Sequence, residues 1–245
     1  MYPQIELPLG ITVYTFGIAL SISFLLFFWM LYKLSGKYGI NTNFFIGNAL
    51  PLFLSSFVFS RLFFLLSEWR DVVSDGFVRF FLTSDYNFSL AGGAFGFFLV
   101  LVYRLKKHKL PLGKYLDAVI LAFLFAGIVG YLGAFIGGQI YGKPTNLPFG
   151  ITYSDPETAN PYTSPVVPLA LIYAFFSFVI FVVLYIARAA FVKIDGLVGY
   201  LGIAAFAPVL LIGEFWNGAE DSLKSLFFLN LTQIMAVVCM LFAFR

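Results

Sequence analysis

Charge is scarce in this chain. Asp, Glu, Lys and Arg make up 11% of its 245 residues, while 61% are hydrophobic and 20% aromatic. A soluble domain carries roughly 25% charged residues, so a water-soluble globular protein is excluded. Strict apolar–polar alternation is also lacking, which argues against a transmembrane barrel. There is one cysteine, Cys239, in the last apolar run. A lone thiol builds neither a disulfide framework nor a thiolate metal site within one chain, and Cys239 reads as a small buried apolar residue. The single histidine, His108, lies in the basic segment RLKKHKLP and reads as a solvated loop residue. No metal-ligand cluster, Ser-His-Asp set, phosphate loop or internal repeat can be assembled, so no metal and no cofactor is expected. The opening MYPQIELPLG has no Lys or Arg. It lacks the basic start of a secretory signal, and the first apolar run is expected to be a permanent helix.

Long apolar runs are what the chain has in abundance. A bilayer-spanning helix needs ~20 mostly apolar residues. Seven such runs can be drawn, at 10–32, 44–66, 90–103, 115–141, 165–187, 197–216 and 225–244. The third is short, and its helix is expected to extend into Arg104 and Lys106, whose long side chains can snorkel. Pro51 is expected to kink the second. Phe77 to Leu82 is apolar but too brief to span, and reads as a short interfacial helix. With the N-terminus outside, the inner loops and C-terminus hold Lys33, Lys37, Arg104, Lys106, Lys107, Lys109, Lys114, Arg188, Lys193 and Arg245. The outer loops hold Arg70, Arg79, Lys143 and Lys224. Ten against four is a positive-inside bias. The expected fold is therefore all-α, a polytopic bundle of seven transmembrane helices, N-terminus out and C-terminus in. It forms one domain over 1–245, with an interfacial segment at 67–89 and an outer loop at 142–164. The net charge of +3 follows from this topology and does not point to nucleic acid. The basic run 104–109 is a topology determinant that also meets anionic headgroups.

The rest of the chain is organised around Ala126–Pro165, AGIVGYLGAFIGGQIYGKPTNLPFGITYSDPETANPYTSP. Most of Gly127, Gly130, Gly133, Gly137, Gly138 and Gly142 would lie on one broad helical stripe, where another backbone or a lipid can approach closely. A polar, proline-rich loop follows. The plainer reading is a helix-packing seam and a connector; the functional one is a shaped interfacial site. Polar residues within the runs add candidates. Arg61 sits in FVFSRLFFLL, where a charge at mid-membrane costs ~2.5–3.5 kcal/mol and is a functional-site hypothesis by default; the plainer reading is that it lies near the outer boundary and snorkels to headgroups. Glu214 lies in LLIGEFWNGAED, with Asn217 three residues on and on the same helix face. Glu214 could pair with Arg61, accept from a lipid hydroxyl, or be a solvated helix-end carboxylate. Gln139 and Gln233 lie within apolar runs and could simply join helices. Asp117 reads as a helix-start carboxylate helped by the helix dipole.

Four stretches together resemble the prolipoprotein diacylglyceryl transferase family of bacterial inner membranes. SRLFFLLSEW places Arg61 on that family's arginine. SLAGGAFG, with Gly92 and Gly93, is similar to its Ser-Phe-His-Gly-Gly motif. GYLGAFIGGQIYGKPT is similar to its signature Gly-Arg-x-Gly-Asn-Phe-x-Asn-x-Glu-x-x-Gly-x-Pro-Thr. GEFWN and LNLTQ resemble its late Glu-x-x-Arg and Gly-Gln segments. The resemblance implies transfer of a diacylglyceryl group from phosphatidylglycerol to a lipoprotein precursor's lipobox cysteine, at an outward-facing site open to lipid. The departures are severe. Ala91 stands for the motif's His. Tyr131, Ala134, Gly137 and Gln139 stand for the signature's Arg, two Asn and Glu. Ser164 precedes Pro165 where the family has His, and Asn217 stands for the late Arg. Arg61, Glu214, Gln233 and the glycine and Pro-Thr scaffold persist.

The expected site is accordingly a lipid-binding cleft of weakened or lost transferase chemistry. Arg61, Tyr131, Gln139, Lys143, Glu214, Asn217 and Gln233 would meet the headgroup of a phosphatidylglycerol-like lipid. Gly92, Gly93, Gly130, Gly133, Gly137, Gly138 and Gly142 would shape the cleft. The alternative is an active transferase that uses rearranged residues, with Arg61 and Lys143 holding phosphate. A lipoprotein precursor or another membrane protein is the expected protein partner. A transporter has less support, because the paired broken helices of transporter repeats are missing.

Overall fold

The computed structural model describes residues 2–8, 11–67, 88–155, 157–191, 193–219 and 229–243. Most of the 67–89 segment, including the helix expected at Phe77 to Leu82, lies outside them, as does the C-terminal Arg245. A short antiparallel hairpin opens the chain, β1 (Gln4–Leu7) and β2 (Ile11–Tyr14), with Gln4 opposite Tyr14. Seven α-helices follow among the described residues: α1 (Thr15–Tyr38), α2 (Thr42–Ser67), α3 (Leu90–Lys107), α4 (Leu112–Ile136), α5 (Leu169–Ala190), α6 (Leu197–Gly213) and α7 (Leu231–Ala243). Five of them, α1, α2, α4, α5 and α6 with its final turn, are long and apolar enough to cross a membrane. The molecule is a polytopic helical membrane protein.

The helices fall close to the seven apolar runs, with three informative differences. The first helix begins at Thr15, because Ile11-Thr12-Val13-Tyr14 is β-branched and aromatic and pairs as a strand. The second runs unbroken through Pro51. The fourth stops at Ile136, so Gly138, Gln139 and Gly142 lie beyond it rather than on its stripe. Gly138 stands in the left-handed region at φ +66°. Its N–H donates to the Phe135 carbonyl and that of Gln139 to Ala134, the paired bonds that close a helix on a glycine. The third helix extends through Arg104 and Lys106 to Lys107.

Helix α4 is the axis. Residues 115–122 on it are buried without a break, which marks a helix covered on all sides. It packs on α1, α5 and α6, while α2 packs on α3 and α6 on α7. The α2–α3 hairpin makes far fewer contacts with α1, α4 and α7 than within itself. Outward-facing apolar side chains such as Leu25, Phe53, Phe57, Phe175, Val183 and Leu241 remain exposed, as expected of helices whose outer solvent is hydrocarbon.

Asp117 is wholly buried in the second turn of α4 and serves another helix. Its carboxylate accepts from the Gly196 N–H (2.9 Å) and the Gly199 N–H (2.7 Å). It thereby satisfies orphan donors at the start of α6 and sits at the positive end of that helix's dipole. Arg188, from the last turn of α5, approaches it at 3.7 Å. The expected carboxylate–dipole contact exists, but with α6 instead of with Asp117's own helix.

Candidate functional site

The polar centre forms where α6 ends. The helix runs into a tight 3-10 turn, Glu214–Trp216, and Glu214 is buried at 7% exposure. One carboxylate oxygen accepts from the Tyr173 hydroxyl at 3.3 Å; the other accepts from the side-chain amides of Asn217 at 2.8 Å and Asn230 at 2.6 Å. Tyr173, on α5, reaches Glu214 across Gly213, where an added Cβ would lie 2.5 Å from its hydroxyl. Asn230 precedes α7 and exchanges hydrogen bonds with Gln233. Its backbone N–H donates to Gln233 Oε1 at 3.0 Å, and the Gln233 N–H donates to Asn230 Oδ1 at 2.7 Å. This reciprocal cap satisfies two orphan donors of α7 and holds the Asn230 amide on Glu214. Tyr131, buried on α4, sets its ring 5.3 Å from that of Tyr173, tilted by 54°.

The structure therefore brings together four of the seven expected headgroup residues, Tyr131, Glu214, Asn217 and Gln233. Gln139 and Lys143 are exposed in the loop after α4. Lys143 takes part through its backbone, its N–H donating to the Trp216 carbonyl at 2.8 Å. Arg61 is buried on α2, its guanidinium 5.4 Å from the Phe64 ring and 5.7 Å from that of Phe88. It stands at the α2–α3 crossing, where Ser60 Oγ donates to the Ser89 carbonyl at 2.7 Å. Glu214's described hydrogen-bond partners are all neutral.

The glycines act as packing surfaces. Gly92 lies against Phe59 and Phe63 of α2, and Gly93 faces Ser56 and Ser60. Gly130, Gly133 and Gly137 face Ser23, Ala19 and Phe16, so α1 lies along the ladder as the plainer reading expected. Gly142 has Val167 and the Trp216 carbonyl within 3.0 Å of where a Cβ would be.

The loop beyond α4 is more ordered than its prolines suggested. Its backbone is laced by Gly142 to Val167 (2.9 Å), Thr145 to Pro165 (2.8 Å) and the reciprocal Ile151–Val166 pair (3.0 Å each). Tyr141, Tyr153 and Val166 form a small core of their own, with Tyr162 against it. The Tyr153 hydroxyl is buried without a hydrogen-bond partner among the described residues, and burial pushes its pKa up to about 12.

Tyr173 and Asn230 were not among the expected residues. Asn230 carries a local signal, because Asn-Leu-Thr-Gln at 230–233 has the spacing of a helix-capping box. Tyr173 has none. It is one aromatic among many in an apolar run, and only the α5–α6 packing identifies it.

A multi-helix membrane protein with a buried polar cluster at one end of its central helices is the class these features define. A family model described as prolipoprotein diacylglyceryl transferase matches residues 4–245, and the chain belongs to that family. It is similar to the phosphatidylglycerol–prolipoprotein diacylglyceryl transferase of Prochlorococcus marinus (strain MIT 9215), with 26% identity over 153 residues, 57% of this chain and 51% of that one. The enzyme of that name from Wolbachia pipientis subsp. Culex pipiens is 22% identical over 150 residues, 61% of this chain and 56% of that one. Over 212 residues, 85% of this chain and 82% of the relative, it is 24% identical to the Clostridium tetani protein of that name. The chain spans about half the length of the Prochlorococcus and Wolbachia relatives that it matches.

Proposed function

We propose that this chain is a lipid-binding member of the family in which diacylglyceryl transfer is impaired. It would lie in a bacterial cytoplasmic membrane with seven spans, α3 and α7 completing the five long ones. The N-terminus and the Glu214 end would face outward. The observation that carries the reading is the set of partners around Glu214: a phenol and two amides, with Asn217 where the family motif has Arg.

The chemistry explains why this matters. In the family's reaction a lipobox thiolate attacks the glyceryl carbon that carries the phosphate. The carbon–oxygen bond breaks, and glycerol phosphate leaves with the electron pair. A base must take the thiol proton, since a free thiol is mostly protonated at neutral pH. Fixed cations must meet the charge growing on the leaving phosphate. Neutral amides can orient a headgroup, but they supply no countercharge. Arg61, at the same end of the bundle, is the cation best placed to hold phosphate. Among the described residues the α2–α3 hairpin packs chiefly within itself and only lightly on α4 and α7, which supports lipid entry along that seam. The second reading, an active transferase by a rearranged route, is favoured by the Tyr131–Tyr173–Glu214 chain, which lines up two phenols beside a carboxylate.

The test uses the purified full chain with dioleoylphosphatidylglycerol and a lipobox peptide, read by mass spectrometry. The expected result is retained lipid and unmodified peptide, together with no rescue of lipoprotein lipidation in cells depleted of an active transferase. Turnover above a no-enzyme control that disappears in Glu214→Ala or Arg61→Ala would overturn the proposal and establish the second reading.

A further inference from the structure

At the end of the bundle opposite Glu214 lies a second cluster of polar side chains. A cavity of ≈ 370 Å³ opens there, lined by Lys37, Tyr38, Lys114, Arg188, Ala189, Lys193 and Asp195. Its walls come from four places in the chain: the last turn of α1, the first turn of α4, the last turn of α5, and the connector into α6. Four basic side chains face one lining carboxylate. Asp195 accepts from Arg188 at 2.8 Å and has Lys114 at 3.9 Å. The second nearby carboxylate, Asp117, is buried behind Arg188 and engaged by the Gly196 and Gly199 N–H groups. Counting both carboxylates, the site keeps an excess of positive charge.

The site is built as well as charged. Arg188 is 9% exposed in its side chain. Its guanidinium lies over the Tyr38 ring at 5.0 Å, and the Lys37 ammonium lies over the Tyr185 ring at 4.6 Å. Aromatic faces of this kind hold cations in place. The Gly113–Gly196 approach, with Gly113 Cα 3.0 Å from where a Gly196 Cβ would be, brings the start of α4 against the connector and so sets Lys114 beside Asp195. Lys37 and Lys193 are exposed, Lys37 held over the Tyr185 face and Lys193 with a chain long enough to swing onto a ligand.

The geometry points to a phosphate-binding site at the basic end of the bundle, shaped for the phosphodiester headgroup of an anionic lipid. Basic pockets between spanning helices on the cytoplasmic side bind such headgroups. The positive-inside bias puts this end on that side. A phosphate ion or a soluble phosphate compound presents the same chemistry, and the experiment separates the two sources.

Binding of dioleoylphosphatidylserine, dioleoylphosphatidylcholine and inorganic phosphate to the detergent-solubilised full chain is followed by native mass spectrometry. Wild type is compared with the double variant Lys37→Gln/Lys193→Gln and with Lys106→Gln/Lys107→Gln, which removes the same charge outside the cavity. Both pairs carry their charge at the surface, and a thermal melt of each variant confirms that it folds. The expected result is phosphatidylserine binding weakened about tenfold or more by the first pair, the scale of two basic residues near an anionic headgroup. The second pair, whose basic run meets headgroups only as exposed surface charge, should weaken it clearly less, and phosphatidylcholine should bind weakly throughout. Phosphate binding with the same variant pattern would keep the site and assign it to a soluble ligand. Equal weakening by both pairs, or none by the first, would overturn the proposal. None of these variants touches Glu214 or Arg61, so the outcome is independent of the transferase question.

Discussion

Tyr153 shows how one atom can set a measurable pH response. The residue is 5% exposed and its ring lies 6.3 Å from that of Phe135, while its hydroxyl finds no partner among the described residues. A pKa of about 12 against the ordinary 10.0 means that the fold favours the neutral phenol. The unfolded chain then releases its proton first as pH rises, so stability is full below about 10, falls between about 10 and 12, and levels off above. Tyr153→Phe should remove that part of the alkaline decline. It should also raise stability at pH 7 by ~1 kcal/mol, because a buried hydroxyl without a hydrogen bond costs about that much. Thermal melts of both proteins across pH 7 to 12 check each half. Residue by residue, the sequence exposed what was chemically odd in its run. Arg61, Glu214 and Gln233 stood out as polar residues in apolar surroundings, and all are buried. Tyr173 did not stand out, because a tyrosine among phenylalanines differs from them by one oxygen atom.

Among the elements, the α1–α4 seam is where composition most directly becomes packing. Ala19 lies where a Gly133 side chain would be, and Ser23 Oγ donates to the Ala126 carbonyl at 2.6 Å across the same interface. Small residues let the two backbones approach, and a hydroxyl joins them, which is how helices associate where no hydrophobic drive separates them from lipid. Gly133→Leu should force them apart at ~1–3 kcal/mol, seen as a lower melting temperature in detergent. Gly127→Ala, whose Cβ would meet only ordinary contacts near 3.6 Å, is the mild comparison. Hydropathy marked the helices well because each run is bounded by charge or proline. It mistook two things. Ile11 to Tyr14 is as apolar as a helix start, and only its β-branching separates strand from helix. Apolar residues continue past Gly138, and only that glycine's left-handed φ ends α4.

For the molecule as a whole, the charge asymmetry becomes a statement about orientation. Reporters fused in the α5–α6 connector after Lys193 should be active in the cytoplasm, and those fused after Asn160 on the outer side; the reverse pattern would refute the proposed orientation. The cap that Asp117 places on α6 then bears on biogenesis. The acceptor lies 79 and 82 residues before the two N–H groups it satisfies, so it enters the bilayer well ahead of them. Until α6 arrives, the Asp117 carboxylate lacks its two amide partners, and Arg188 joins it only when α5 is complete. The central helices must therefore stay together at the insertion site while α5 is made, and an unfinished chain carries an exposed mark of incompleteness. Chains terminated after Ala190 should be cleared by membrane proteases several times faster than chains ending after Gly218, as pulse-chase labelling would measure. Quality control of this protein would then read a carboxylate still waiting for the helix it caps.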